Sequence, residues 1–207
     1  MKRYSALFLT KAALIAALYF GLSLLSERVG LAGDNVIQCR FSEALTILPA
    51  FMAESIPGLY IGCLLTNIIA GGNPWDIALG PIATLIGAVG TFLIGRAVRK
   101  IARKPLGERP ALRVVALTVM FSLPPIISNA VIIPPILKFA YGFDDAYWFL
   151  TATVAAGEII ACGVFGGILL FALLRNRGTR KLLFADDATS VPGKKVIEVS
   201  ASEAAEA

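Results

Sequence analysis

The chain has 207 residues, is 57% hydrophobic and only 16% charged, and its mean hydropathy is +0.77. Soluble domains run at about 45–50% apolar and about 25% charged, so the composition excludes an ordinary soluble domain and leaves the membrane class. A formal charge of +5 would point to nucleic acid in a soluble protein, but here the basic residues lie where membrane topology places them. The absence of histidine removes the usual imidazole metal ligand and the usual general base near neutral pH. Cys39, Cys63 and Cys162 are isolated in sequence and read as small buried hydrophobes, with no disulfide framework and no metal site.

Lys2, Arg3 and Lys11 precede an apolar run from Ala12 to Leu25. A cleaved signal peptide is one reading, with Gly30 and Ala32 near the cleavage point. A retained first span is the better one, because the small residues are patterned: Ala13, Ala17 and Gly21 share a helical face, with Ala12 and Ala16 beside them. Small residues four apart let another helix approach closely in lipid; that helix is either the protein's own or a partner's. After a polar connector from Glu27 to Gln38 comes Arg40-Phe41-Ser42-Glu43, where a cation and an anion stand at the start of an apolar run. That run, Phe41 to Met52, contains Pro49 and is short against the roughly 20 residues of a full crossing. Glu54-Ser55-Ile56-Pro57 predicts a tight turn, Ile56 to Ala70 a third apolar run, and Gly71-Gly72-Asn73-Pro74 a break. Trp75-Asp76 opens a fourth helix to about Gly95.

A basic segment follows: Arg96, Arg99, Lys100, Arg103, Lys104, Arg109 and Arg113. The fifth span, Val114 to Phe139, carries Pro124-Pro125 and Pro134-Pro135 on either side of Ser128-Asn129. Proline removes helix hydrogen bonds, and backbone opened in this way is tolerated in lipid only against protein or a water-filled cavity. A loop from Tyr141 to Tyr147 leads into a sixth span, Trp148 to Leu174. Arg175, Arg177, Arg180 and Lys181 then introduce a polar, low-complexity end. Residues 1–181 are therefore expected to form the transmembrane domain, and 182–207 a disordered cytoplasmic tail.

Lys and Arg concentrate at the N-terminus, in 96–113 and after Leu174, and the positive-inside rule makes these zones cytoplasmic. An even number of crossings must separate consecutive zones, which gives six spans with both termini inside. Trp75, Tyr141, Tyr147 and Trp148 then form an aromatic belt at the outer interface. At about 1.5 Å per residue, Glu43, Asn67, Asp76, Asn129 and Glu158 all fall in the outer half of the membrane, where they converge on one outward pocket. Each has a plainer reading. Asp76 caps a helix, Asn67 bonds between helices, and Arg40 with Glu43 forms an interfacial ion pair. Glu158 resists such a reading, since a carboxylate deep in a span costs at least about 2.5–3.5 kcal/mol. Ser122, Ser128, Thr151 and Thr153 are expected to bond back to their own helices.

The blocks Arg40-Phe41-Ser42-Glu43-Ala44-Leu45, Ile56 to Asn67, and Trp75-Asp76, with Gly157-Glu158 further on, resemble the queuosine-precursor transporter (QueT) family. These are substrate-binding S components of energy-coupling factor transporters, and the resemblance runs from the first span to the sixth. It implies a bacterial plasma-membrane bundle of six helices, an outward pocket capped by the first external loop, and an energising module made of a transmembrane T component and two ATPases. The chain itself lacks the Walker A pattern and is expected to be a non-catalytic subunit that binds no nucleic acid. Ala12, Ala13, Ala16 and Ala17 match the small-residue pattern that meets the T component in this superfamily, which favours the partner reading. The implied ligand is a 7-deazaguanine such as the aminomethyl form or queuine. Glu158 and Glu43, in either order, would accept its guanine-like edge and balance its cation. Asn129 and Asn67 would add polar contacts at a rim formed with Arg40 and Asp76, and Phe41 or Trp75 would stack on the ring. The rival readings are an S component for another vitamin-like ligand and a self-sufficient proton-coupled carrier.

Overall fold

The computed structural model describes residues 6–31, 39–101 and 110–175, and every regular element among them is helical. The expected tail at 182–207, the middle of the loop before Cys39, and Lys2, Arg3, Arg103, Lys104 and Arg109 lie outside the described residues. In chain order come α1 (Ala6–Arg28), a 3-10 helix (Phe41–Ala50), α2 (Ser55–Ile69), α3 (Pro74–Ile101), α4 (Pro110–Phe139) and α5 (Tyr147–Glu158). The last runs on through a π-helical stretch (Ile159–Phe165) into α6 (Gly166–Arg175). α1, α3, α4 and the continuous Tyr147–Arg175 helix are each long and apolar enough to cross a bilayer. α2 is shorter, at 15 residues. The 3-10 helix has only 10 residues, but a rise of about 2.0 Å per residue carries it about 20 Å, where an α-helix would cover about 15 Å.

Apolar side chains cover the outside of the bundle as well as filling its core, and many polar ones are buried among them. Leu14, Val119, Ile127 and Phe171 lie on the outside, while Ser23, Ser42, Glu43, Thr46, Thr66, Asn67, Thr84 and Asn129 are buried. Lipid offers polar groups no partners, so they pair within the bundle. The 3-10 helix is the hub of that pairing. Ser23 donates to Ser42 (2.7 Å), the Phe41 amide donates to Ser26 Oγ (2.8 Å), and the Thr46 hydroxyl donates to the Glu43 carbonyl (2.6 Å).

The proline pairs do not break α4, which is continuous through both. Pro125 has no N–H for the Phe121 carbonyl four residues earlier; the Thr91 hydroxyl of α3 donates to that carbonyl instead, at 2.9 Å. The two helices come close enough for this because Gly87 and Gly90 of α3 face Pro125 and Pro124. A Cβ on either glycine would lie 2.7 Å from its proline. Before α2 the turn occupies residues 51–54 rather than 54–57. Ser55 closes it by donating to the Met52 carbonyl (2.6 Å), and Pro57 sits in the first helical turn, where its missing N–H has little effect. Ser128, Thr151 and Thr153 bond within their own helices as expected. Ser122 departs from that expectation, reaching across to the Cys162 carbonyl in the π-helical stretch (2.9 Å).

The patterned small residues of α1 divide between two faces. Ala12 and Ala16 are 7% and 5% exposed and pack on α2, where a Cβ on Gly58 would lie 2.7 Å from the Ala12 carbonyl and one on Gly62 2.9 Å from the Ala16 carbonyl. Ala12 and Ala16 therefore serve the protein's own packing. Ala13, Ala17 and Gly21 face outward. Gly62→Leu is expected to force α1 from α2 and to lower stability by about 1–3 kcal/mol, read as a lower unfolding temperature of the detergent-purified protein.

Candidate binding cavity

A cavity of about 290 Å³ opens at the end of the bundle where α2 passes to α3 and α4 to α5. Its walls include Arg40, Glu43, Asn67, Asp76, Asn129 and Glu158, and Gly71, Gly72, Tyr141 and Phe143 stand at its mouth. Six of the eight predicted substrate contacts thus come together around one space. Phe41 and Trp75 do not. The Phe41 ring packs edge-on against Phe165, with centroids 5.1 Å apart, and Trp75 is 64% exposed. Neither stacks in the cavity; the aromatic rings that line it belong to Tyr141 and Phe143.

Each polar wall residue is held by a neighbouring element. The Tyr19 hydroxyl of α1 donates to Glu43 Oε1, and Glu43 Oε2 is buried without a partner. Asn129 Nδ2 donates to Glu158 Oε1 (2.7 Å), and the Cys162 thiol lies 3.2 Å from Glu158 Oε2. Glu158 ends α5 just ahead of the π-helical stretch, a distortion often found at functional sites. Glu43, Glu158 and Cys162 each offer a ligand atom, all within 4.8 Å of one another, a converging set suited to a cationic group. At that separation two full negative charges repel by on the order of 3 kcal/mol at an effective dielectric of about 20.

Asn67 bridges helices, its Nδ2 donating to the Asp76 carbonyl (3.0 Å) and its Oδ1 facing Arg40 Nη1 (3.5 Å). Gly80 makes room for this carboxamide; a Cβ there would lie 2.6 Å from Asn67 Nδ2. Arg40 is therefore turned to Asn67 rather than ion-paired with Glu43, and the ion pair among the described residues is Lys11–Glu54 (3.0 Å). Asp76 is not the cap of α3. Asn73 Oδ1 accepts from the Trp75 amide (3.1 Å), while the Asp76 carboxylate accepts from the Tyr141 hydroxyl (3.3 Å). Partial burial raises the Tyr141 phenol above its ordinary value.

Sequence reasoning did not point to Tyr19, Phe143 or Thr84, and it offered Tyr141 only as an interfacial ring and Cys63 only as a buried hydrophobe. For Tyr19 a signal was present: Tyr19, Ser23 and Ser26 recur at i, i+4 and i+7, a polar stripe on the inner face of an apolar helix.

No curated protein and no solved structure matches the chain. The model of the QueT transporter family matches residues 9–175, a stretch reaching from α1 to the end of α6. With its membrane-length helices, this multi-pass membrane protein belongs to the QueT transporter family.

Proposed function

We propose that the chain is the substrate-binding S component of an energy-coupling factor importer and that its cavity holds a queuosine precursor, a 7-deazaguanine such as the aminomethyl form or queuine. The observation that carries this reading is the pair of carboxylates, Glu43 and Glu158, set with Asn129 in one cavity of about 290 Å³. A guanine-like edge presents adjacent N–H donors that a carboxylate accepts side by side, and an aminomethyl cation needs a second anion. The volume is close to the lower bound of the roughly 300–1,000 Å³ typical of small-molecule sites, room enough for a bicyclic base.

In this reading α2 and the 3-10 helix complete six crossings of the bacterial plasma membrane. Lys11, Arg96, Arg99, Arg113 and Arg175 lie toward the cytoplasm with both termini, and the cavity opens outward. Ala13 and Ala17, exposed on α1, meet the T component, and two partner ATPases supply the energy. Reconstitution tests this. Vesicles with the T component and ATPases are expected to accumulate a labelled 7-deazaguanine when ATP is supplied, and vesicles with this chain alone are not. Uptake by the chain alone under a pH gradient would instead make it a self-sufficient proton-coupled carrier.

A further inference from the structure

The two carboxylates of the cavity are not equivalent. Glu43 is 3% exposed, and its Oε1 is turned away from the ligand space toward Tyr19, which is fully buried and is not part of the cavity wall. Only Oε2, buried and without a partner, remains on offer. Glu158 is more open. The donor to its Oε1 is Asn129, itself a wall residue, and the donor to its Oε2 is a thiol, a weak one. One of these donors stands in the cavity wall and the other is weak, and Glu158 is the less buried of the two acids, so it keeps both oxygens available on its open side.

We propose that the two carboxylates divide the ligand between them: Glu43 gives its single free oxygen to a cationic group, Glu158 takes a planar edge of adjacent N–H donors, and Tyr19 is the positioning residue that enforces the division. The chemistry follows from shape. An ammonium is a compact charge that one oxygen can meet, whereas adjacent ring donors need two oxygens in one plane. Asn129, beside Glu158, adds a carbonyl or amide contact on the same side. Tyr19 acts only through Glu43: without its hydroxyl, the carboxylate is free to rotate and Oε1 is left unpaired in the core.

This assignment rests on the cavity being a deazaguanine site, and the test separates the two claims. The purified full chain is titrated by calorimetry with 7-aminomethyl-7-deazaguanine and with 7-deazaguanine, which lacks the amine. The quantity read is the ratio of the two affinities. Wild type is expected to favour the cationic compound. In Glu43→Gln and Tyr19→Phe that preference falls by about tenfold. Glu158→Gln weakens both compounds and leaves the ratio as it was. A general packing role for Tyr19 would weaken both ligands alike. An unchanged ratio in Glu43→Gln or Tyr19→Phe, or a ratio lost in Glu158→Gln, overturns the division while the ligand reading stands. Wild-type protein that binds neither compound overturns the ligand reading, and the division with it.

Discussion

Glu158→Gln is expected to weaken 7-deazaguanine binding by about 100-fold while leaving the ligand-free protein at least as stable as wild type. The loss follows from a buried, charge-assisted contact. Replacing one oxygen by an NH2 group sets a donor against ligand donors and leaves them unpaired, worth about 3 kcal/mol or about 100-fold in affinity. The retained stability follows from the same geometry. Glu158 stands within 4.8 Å of the Glu43 and Cys162 ligand atoms, so the neutral amide places no second charge beside Glu43, and its carbonyl still accepts from Asn129. Calorimetry and thermal unfolding of the same detergent sample check both halves. Unchanged affinity would remove Glu158 from the site, and a collapse in unfolding temperature would make it a structural residue.

The second large effect falls on packing. Gly87→Leu is expected to destabilise the bundle by about 3 kcal/mol or more. A Cβ at Gly87 would lie 2.7 Å from Pro125 Cα and 3.0 Å from Ser128 Oγ. The first is backbone and cannot swing aside, so α4 must move off α3. That movement breaks the Thr91 bond to the Phe121 carbonyl, leaving a buried carbonyl unpaired at the proline, and carries Asn129 away from Glu158. The unfolding temperature is expected to drop and ligand affinity to fall with it. If Gly87→Leu unfolds like wild type, the close α3–α4 contact is not what holds the prolines in a straight helix.

The acidic residues were legible in the sequence because lipid makes them so: an ionisable side chain inside an apolar run has few structural explanations. Depth counting from the flanking breaks placed Glu43, Asn67, Asp76, Asn129 and Glu158 at one level, and all five line one cavity. Phe41 stands two residues before Glu43 on the 3-10 helix, and nearness in sequence does not bring its ring to the same space. On a helix of either kind residues two apart point to different faces, so Phe41 does not share the face of Glu43 and turns to Phe165 instead. Trp75 adjoins Asp76 in sequence, but the helix points the two in different directions.

The prolines of α4 and the bond from Tyr19 to Glu43 were hidden for another reason. In each case the deciding partner comes from a different helix, Thr91 for the Phe121 carbonyl and α1 for Glu43. Periodicity within one segment carries no information about a neighbour's hydroxyl. The small residues of α1 lie between these cases. Their spacing indicated close helix contact, but only the position of α2 separates Ala12 and Ala16, which it covers, from Ala13 and Ala17, which it does not.

The identity of the ligand is the claim on which the rest depends. The direct measurement is mass spectrometry of the small molecule released on denaturing the detergent-purified chain, with thermal stabilisation by the pure compound as confirmation. A 7-deazaguanine, released from wild type and missing from Glu158→Gln, is the predicted result. Release of riboflavin, biotin or folate, with stabilisation by that compound and none by deazaguanines, would contradict it.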